Sequence, residues 1–141
     1  MKFNKLIPEL KVSNIARSLD FYRKILGFKV EYDRTESKFA FLSFQGSQVM
    51  LEEIGKDEWN TGKLIPPFGR GIHMQMEVRD IKPIIASLKK NKHPLFIEPH
   101  EKWYRQGKNL LGNRQFLVQD PDGYLLRFFE NLGTKSVKRK S

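Results

Sequence analysis

Two stretches of the chain place apolar residues at helical spacing behind the same short polar opening. They are "KVSNIARSLDFY", from Lys11, and "EVRDIKPIIASL", from Glu77. An offset of 66 (77 minus 11) puts Val78 on Val12, Asp80 on Asn14, Ile81 on Ile15, Ile85 on Leu19 and Leu88 on Tyr22. Ile15, Leu19 and Tyr22 recur every three to four residues and predict a helix with one buried stripe; Ile81, Ile85 and Leu88 predict a second. Asn14 and Asp80 each carry a side-chain oxygen able to accept from first-turn amides, and Pro83 falls in the first turn, where a missing amide costs little.

A second pattern has period two. "FLSFQGSQVMLEE" (Phe41 to Glu53) and "FLVQDPDGYLLRFFE" (Phe116 to Glu130) both read as strand, glycine turn and strand, with Gly46 matching Gly123. With the strands predicted from "FKVEYD" (Phe28 to Asp33) and "PLFIEP" (Pro94 to Pro99), each half becomes βαβββ, the first over about residues 5–55 and the second over about 70–131. One half alone would expose a bare apolar sheet face, so the halves are expected to pair into a single domain over 1–133. The remainder, "TKSVKRKS" over 134–141, has almost nothing apolar to bury and is expected to be a disordered basic tail.

Composition narrows the function. The absence of cysteine excludes disulfides and a thiolate zinc site. No apolar run is long enough to cross a membrane and the start has no apolar signal core, so the expectation is a cytoplasmic protein without a membrane partner. A net charge of +10 invites a nucleic-acid reading, but four of the charges (Lys135, Lys138, Arg139, Lys140) lie in the tail and the remaining +6 (10 minus 4) is scattered. No recognition-helix, single-strand or zinc-finger pattern accompanies them, and nucleic acid is not expected as a partner.

"LKVSNIARSLDFYRKILGF" followed by a terminal "DPDGYLLRFFE" resembles the vicinal-oxygen-chelate superfamily (glyoxalase/bleomycin-resistance/dioxygenase) over residues 5 to 131. The stretch "EKWYRQGKNLLGNRQFLVQDPDGYLL" is most similar to its bleomycin-resistance branch. The resemblance implies an α+β fold of two βαβββ modules forming one vicinal-oxygen-chelate domain, with curled mixed sheets around a cavity. In metal-using relatives, ligands stand five residues before the valine of the Val-x-Asp/Asn signature and four residues after the turn glycine. Those rules give Ile7 and His73, then Met50 and Arg127. A divalent ion needs several converging N or O donors, and of these four only His73 supplies one; Ile7 has no lone pair, Met50 a soft thioether, and Arg127 a permanent cation. The resemblance therefore implies no metal, no cofactor and no catalytic residue.

Arg127 is read as the replacement for the metal's charge. Glu9 shares a face with Ile7 by strand alternation and is expected to pair with Arg127 across the same cavity, since an unpartnered buried guanidinium is costly. Glu52 and Glu53 stand beside the expected ligand position and not on it. His93 and His100 are read as exposed, in connecting stretches, and not as ligands. "KDEWNTGKLIPPFGRG" and "EPHEKWYRQGKNLLGN" are read as long loops whose aromatics, Trp59, Phe68, Trp103 and Tyr104, can stack on a ligand. The candidate ligand-binding residues are Glu9, Met50, Trp59, His73, Trp103, Tyr104, Arg114, Arg127 and Phe129. The function the resemblance implies is that of a metal-free, homodimeric small-molecule-binding protein that sequesters a drug or toxic compound. Between Glu101 and Arg114, Lys102, Arg105, Lys108 and Arg114 outnumber Glu101, which favours an aromatic, neutral or anionic ligand. Two alternatives stay open: a metal-dependent lyase, isomerase, dioxygenase or thiol transferase, and a non-catalytic interaction protein whose cavity is filled by its own side chains.

Overall fold

The computed structural model describes residues 1–56 and 59–137. The first module runs β1 (Glu9–Val12), α1 (Ile15–Leu19), β2 (Lys29–Arg34), β3 (Phe39–Phe44) and β4 (Ser47–Glu53); the second runs β5 (His73–Glu77), α2 (Lys82–Lys90), β6 (Ile97–Gln106), β7 (Asn109–Gln119) and β8 (Leu125–Ser136). Each is βαβββ, and each builds its own four-stranded mixed sheet, in the orders β1-β4-β3-β2 and β5-β8-β7-β6. The first and last strands of each module are parallel; the other pairs are antiparallel. This is the glyoxalase-like α+β domain, with sheets that do not close.

The helix starts explain the internal similarity. Asn14 caps α1 by accepting from the Arg17 amide at 3.0 Å, and α1 widens into a π-helical segment over Asp20–Leu26 that ends on Gly27 at φ +94°. Asp80, two residues ahead of α2, accepts from the Lys82 amide at 2.9 Å; Ile81 is the N-cap and Pro83 sits in the first turn. The last strand of each module completes the cap of that module's own helix. Glu53 accepts from the Ile15 amide at 3.0 Å, and Glu130 from the Ile81 amide at 2.8 Å. Seven residues separate each glutamate from its hairpin glycine (53 minus 46, 130 minus 123), so the repeat carries helix capping as well as hydrophobic pattern.

Strand alternation divides each sheet into two faces. Leu10, Val12, Ala40, Leu42, Val49 and Leu51 of the first sheet join Met76, Val78, Phe116, Val118, Leu126 and Phe128 of the second in one buried cluster with Tyr22, Ile81, Ile84 and Leu88 from the helical segments. Phe44 of β3 meets Phe128 of β8 edge-on at 6.2 Å, so the sheets converge on this shared core. The alternate residues, Glu9, Lys11, Phe39, Phe41, Met50 and Glu52 on one sheet and Gln115, Leu117, Leu125, Arg127 and Phe129 on the other, consequently lie on outer faces directed away from it.

The second stretch read as a long loop is not one. Glu101 to Gln106 and Asn109 to Asn113 are the ends of β6 and β7, a hairpin closed at Gly107 (φ +60°). β8 runs alongside as far as Ser136, which pairs with Asn109, and the Val137 amide donates to the Lys108 carbonyl at 3.0 Å. Three strands thus form an arm, and Thr134–Ser136 of the expected tail are strand; Lys138 to Ser141 lie outside the described residues. The arm holds its shape through Trp103, whose ring lies on Gly112, where a Cβ would stand 2.5 Å from the indole.

The Asp-Pro-Asp-Gly turn joins the modules. Tyr22 donates its hydroxyl to Asp120 at 2.8 Å, the Ser13 hydroxyl and amide donate to Asp122 at 2.5 and 3.1 Å, Arg17 donates to Asp122 at 3.1 Å, and the Tyr124 hydroxyl reaches back to the Lys11 carbonyl at 2.8 Å. Burial raises the Asp120 carboxyl to about 6, against the hydrogen bonds from Tyr22 and the Tyr124 and Asp122 amides that pull it down. The folded state therefore holds this proton more tightly than the unfolded chain. Its contribution is full below about pH 4 and is lost as the pH rises through about 6. Between these limits the stability of the protein relative to its Asp120→Asn variant is expected to fall by about 3 kcal/mol, as measured by denaturant unfolding of both proteins across the range.

Candidate functional site

The four positions matched to metal ligands divide between two sheets. Ile7 precedes β1 and Met50 is on β4, where it pairs with Glu9; His73 opens β5 and is exposed, and Arg127 on β8 pairs with Gln75. Among the described residues, no group of three or more histidine, cysteine, aspartate or glutamate side chains is placed to hold a metal ion. Ile7 has no lone pair, Met50 has only a thioether and Arg127 is a permanent cation, so the side chains at these positions do not fit the divalent centre that the resemblance describes.

On the first outer face, Glu9, Lys11, Arg34, Phe39, Met50, Glu52, Trp59, Asn60 and Tyr124 line a cleft of about 540 Å³. Phe41 beneath it is stacked by Tyr32 at 5.2 Å and met edge-on by Phe3 at 5.3 Å, and the Arg34 guanidinium lies 3.9 Å over the Phe39 ring. Lys11 and Glu52 form an ion pair. Trp59, 94% exposed, stands at the rim.

On the second outer face, Arg127 is half-buried and does not meet Glu9. Its Nε donates to Gln115 Oε1 at 2.9 Å, its Nη2 to the Tyr104 hydroxyl oxygen at 3.1 Å, and its guanidinium carbon lies 5.4 Å from the centre of the Tyr104 ring. The expected Glu9–Arg127 pair required both side chains to face one cavity, whereas the shared core turns their faces apart. Gln115, only 3% exposed, holds the arrangement together: its Nε2 donates to Tyr104 Oη at 2.6 Å and approaches His100 Nε2 at 3.1 Å. His100, read from sequence as an exposed connecting residue, lies half-buried on β6 opposite Gln115.

Alternation also separates candidates close in sequence. Arg114 projects from the face opposite Gln115 and is engaged by Glu101 at 2.6 Å and Glu130 at 3.8 Å. Trp103 lies against Gly112 with Lys135 4.0 Å over its ring, away from Arg127. Phe129 flanks Arg127 on the same face, and Phe68 is buried against Tyr124 at 5.9 Å. Sequence reasoning passed over Gln115 and set His100 aside as exposed; the period of β7 through Gln115, Leu117 and Gln119 is the signal that could have put Gln115 on the face that Leu117 shares with Arg127.

The sequence profile of the Glyoxalase/Bleomycin resistance protein/Dioxygenase superfamily matches residues 8–128. The chain belongs to this superfamily. It is 27% identical, over 131 residues covering 90% of this chain and 92% of the relative, to a lactoylglutathione lyase of Haemophilus influenzae. A solved superfamily member from Vibrio splendidus is 32% identical over 88% of this chain and 95% of that one, with a TM-score of 0.41. A protein from the mobile metagenome of V. Pseudocholerae shares the fold at a TM-score of 0.67 and 20% identity, over 92% and 96% of the two chains. Within this superfamily fold, the arginine on β8 is the feature that sets the chemistry of the second face.

Double-mutant cycles test its partners. Arg127→Met and Gln115→Leu are expected to couple by about 1 kcal/mol or more in unfolding free energy, while Arg127→Met and Glu9→Gln add to within about 0.5 kcal/mol. Coupling to Glu9 of the same size as that to Gln115 would refute the assignment.

Proposed function

We propose that the chain is a metal-independent small-molecule-binding protein, of the kind the bleomycin-resistance branch represents, that sequesters its ligand without transforming it. The observation carrying this reading is Arg127, a permanent cation fixed by Gln115 and Tyr104 at a position given to a metal ligand in metal-using relatives. A guanidinium there supplies positive charge without a Lewis acid and opposes the approach of a divalent ion. Ile7 and Met50 add no hard donor. The lactoylglutathione lyase relative favours the enzymatic alternative at the level of overall similarity, but the residues at these positions do not support it.

The two outer faces favour a homodimer. Neither face encloses a ligand alone, and a second copy laying its first-sheet face over the second-sheet face of its partner would form two equivalent clefts, as an isologous pair requires. Aromatic walls at Phe39, Tyr104 and Phe129 and the cation at Arg127 suit a flat, neutral or anionic compound better than a polycationic drug.

Protein purified without chelator is expected to carry well under a tenth of an equivalent of zinc, nickel, manganese or iron, and added zinc or nickel should leave its affinity for a flat aromatic probe unchanged. Near-stoichiometric metal, or metal-dependent binding, would sink the proposal. Bleomycin titrated at low salt should bind more weakly than about 100 μM; micromolar binding that tightens as salt falls would show that acidic groups such as Glu9 dominate the cleft.

A further inference from the structure

The hydrogen-bond directions around Arg127 are fixed by one group that can only accept and one that can only donate. His100 Nδ1 lies 2.9 Å from the Glu98 carbonyl oxygen, which only accepts, so Nδ1 carries the hydrogen. Arg127 only donates, so the Gln115 atom 2.9 Å from its Nε is the amide oxygen, and the Gln115 nitrogen points the other way. That nitrogen is a double donor. One hydrogen goes to Tyr104 Oη at 2.6 Å and the other to His100 Nε2 at 3.1 Å, so Nε2 is the bare acceptor of a neutral imidazole. Tyr104 Oη therefore receives two hydrogen bonds, from Gln115 and from Arg127 at 3.1 Å, which exhausts its lone pairs.

Each acceptor in the network, Gln115 Oε1, Tyr104 Oη and His100 Nε2, is already engaged. What remains is the Tyr104 O–H, which has no acceptor among the described residues, and the hydrogens of Arg127 beyond those given to Gln115 and Tyr104. Lys102 adds a second cation 5.3 Å over the Tyr104 ring. Of the neighbours of Arg127 on the same face, Leu125 and Phe129 along β8 and Leu117 across from it on β7 are apolar, while Gln75 on β5, at its other side, is polar and exposed.

Resting on the small-molecule reading above, we infer that Tyr104 and Arg127 form a donor-only subsite for a carboxylate of the ligand, with Leu117, Leu125 and Phe129 receiving its flat apolar body and Gln115 and His100 as positioning residues. An ionised carboxylate is acceptor-only, matches a guanidinium edge plus one hydroxyl, and gains charge-assisted hydrogen bonds in a half-buried setting. An amide of the same shape would bring two hydrogens against these donors.

Calorimetric titration of the full chain with 2-naphthoate, 2-naphthamide and inorganic phosphate tests this. Naphthoate is expected to bind at least tenfold more tightly than naphthamide. Tyr104→Phe, which keeps the ring, should remove about that tenfold preference and leave naphthamide affinity alone. Gln115→Glu, which keeps the shape, neutralises Arg127 and offers the Tyr104 O–H an acceptor, should remove the same preference, with naphthamide affinity as the check that the face is still folded. Equal binding of acid and amide would overturn the carboxylate subsite and leave the small-molecule reading standing; binding of neither at millimolar concentration would take down both. Phosphate displacing naphthoate at equal concentration would overturn the carboxylate assignment in favour of a general oxyanion site, as would a preference that survives Tyr104→Phe.

Discussion

Asp120 and Asp122 are carboxylates taken out of water in a single turn, and the first module supplies side-chain donors to both. Removing a carboxylate from solvent costs several kcal/mol unless the lost hydration is replaced by geometrically good hydrogen bonds. Tyr22 meets one and Ser13 with Arg17 the other, from the β1–α1 link and the first helical segments, while the Tyr124 hydroxyl closes on the β1 backbone. Hydrophobic burial would hold the two modules together over a range of angles. These directional bonds select one. That angle joins the inner sheet faces in one core and turns the outer faces apart, so Glu9 and Met50 lie on one outer face and Arg127, Tyr104 and Phe129 on the other.

The consequence for chemistry is a cation that keeps its charge. An arginine answered by a carboxylate is electrostatically quiet at a distance, as Arg114 is between Glu101 and Glu130. Arg127 is instead oriented by an amide oxygen and a phenol oxygen, neutral acceptors that satisfy two of its donors while leaving its unit charge to act on whatever enters. Gln115 can do this because it is almost wholly buried and tied at its other end to Tyr104 and His100. Fixed rotamers spare a ligand the entropy of ordering them.

Much of the fold was legible because it is written locally and twice. Asn14, the stripe at Ile15 and the turns at Gly46 and Gly123 depend on neighbours within a few residues and appear where the pattern puts them, whereas α2 starts one residue later than the repeat predicts, at Lys82 with Ile81 as its N-cap. The arm was missed for a physical reason. Glu101 to Gln106 and Asn109 to Asn113 project beyond the core, so neither face is uniformly apolar and the alternation that signals a strand is absent. Its turn, Gln106 to Asn109, centres on a Gly-Lys pair with no alternating pattern on either side to mark it. Thr134–Ser136 follow because an extended β7 offers them a partner. The Glu9–Arg127 pairing failed at the next level up: which sheet faces share a cavity is decided by the packing of modules, and no local period encodes it.

The side chains at the ligand-matched positions and the arginine at 127 suit one another. A divalent centre needs its donors to converge from more than one strand, and a change at one position leaves the rest to be solvated or paired. With Ile7 and Met50 on the first sheet, a carboxylate restored at position 127 would face no second hard donor from there, and on its own sheet it would meet the Gln115 oxygen that now accepts from Arg127. It would be a buried acceptor set against an acceptor. Gln115, Tyr104 and His100 are organised around a donor at 127, and the side chain that suits them is the one that excludes a divalent ion.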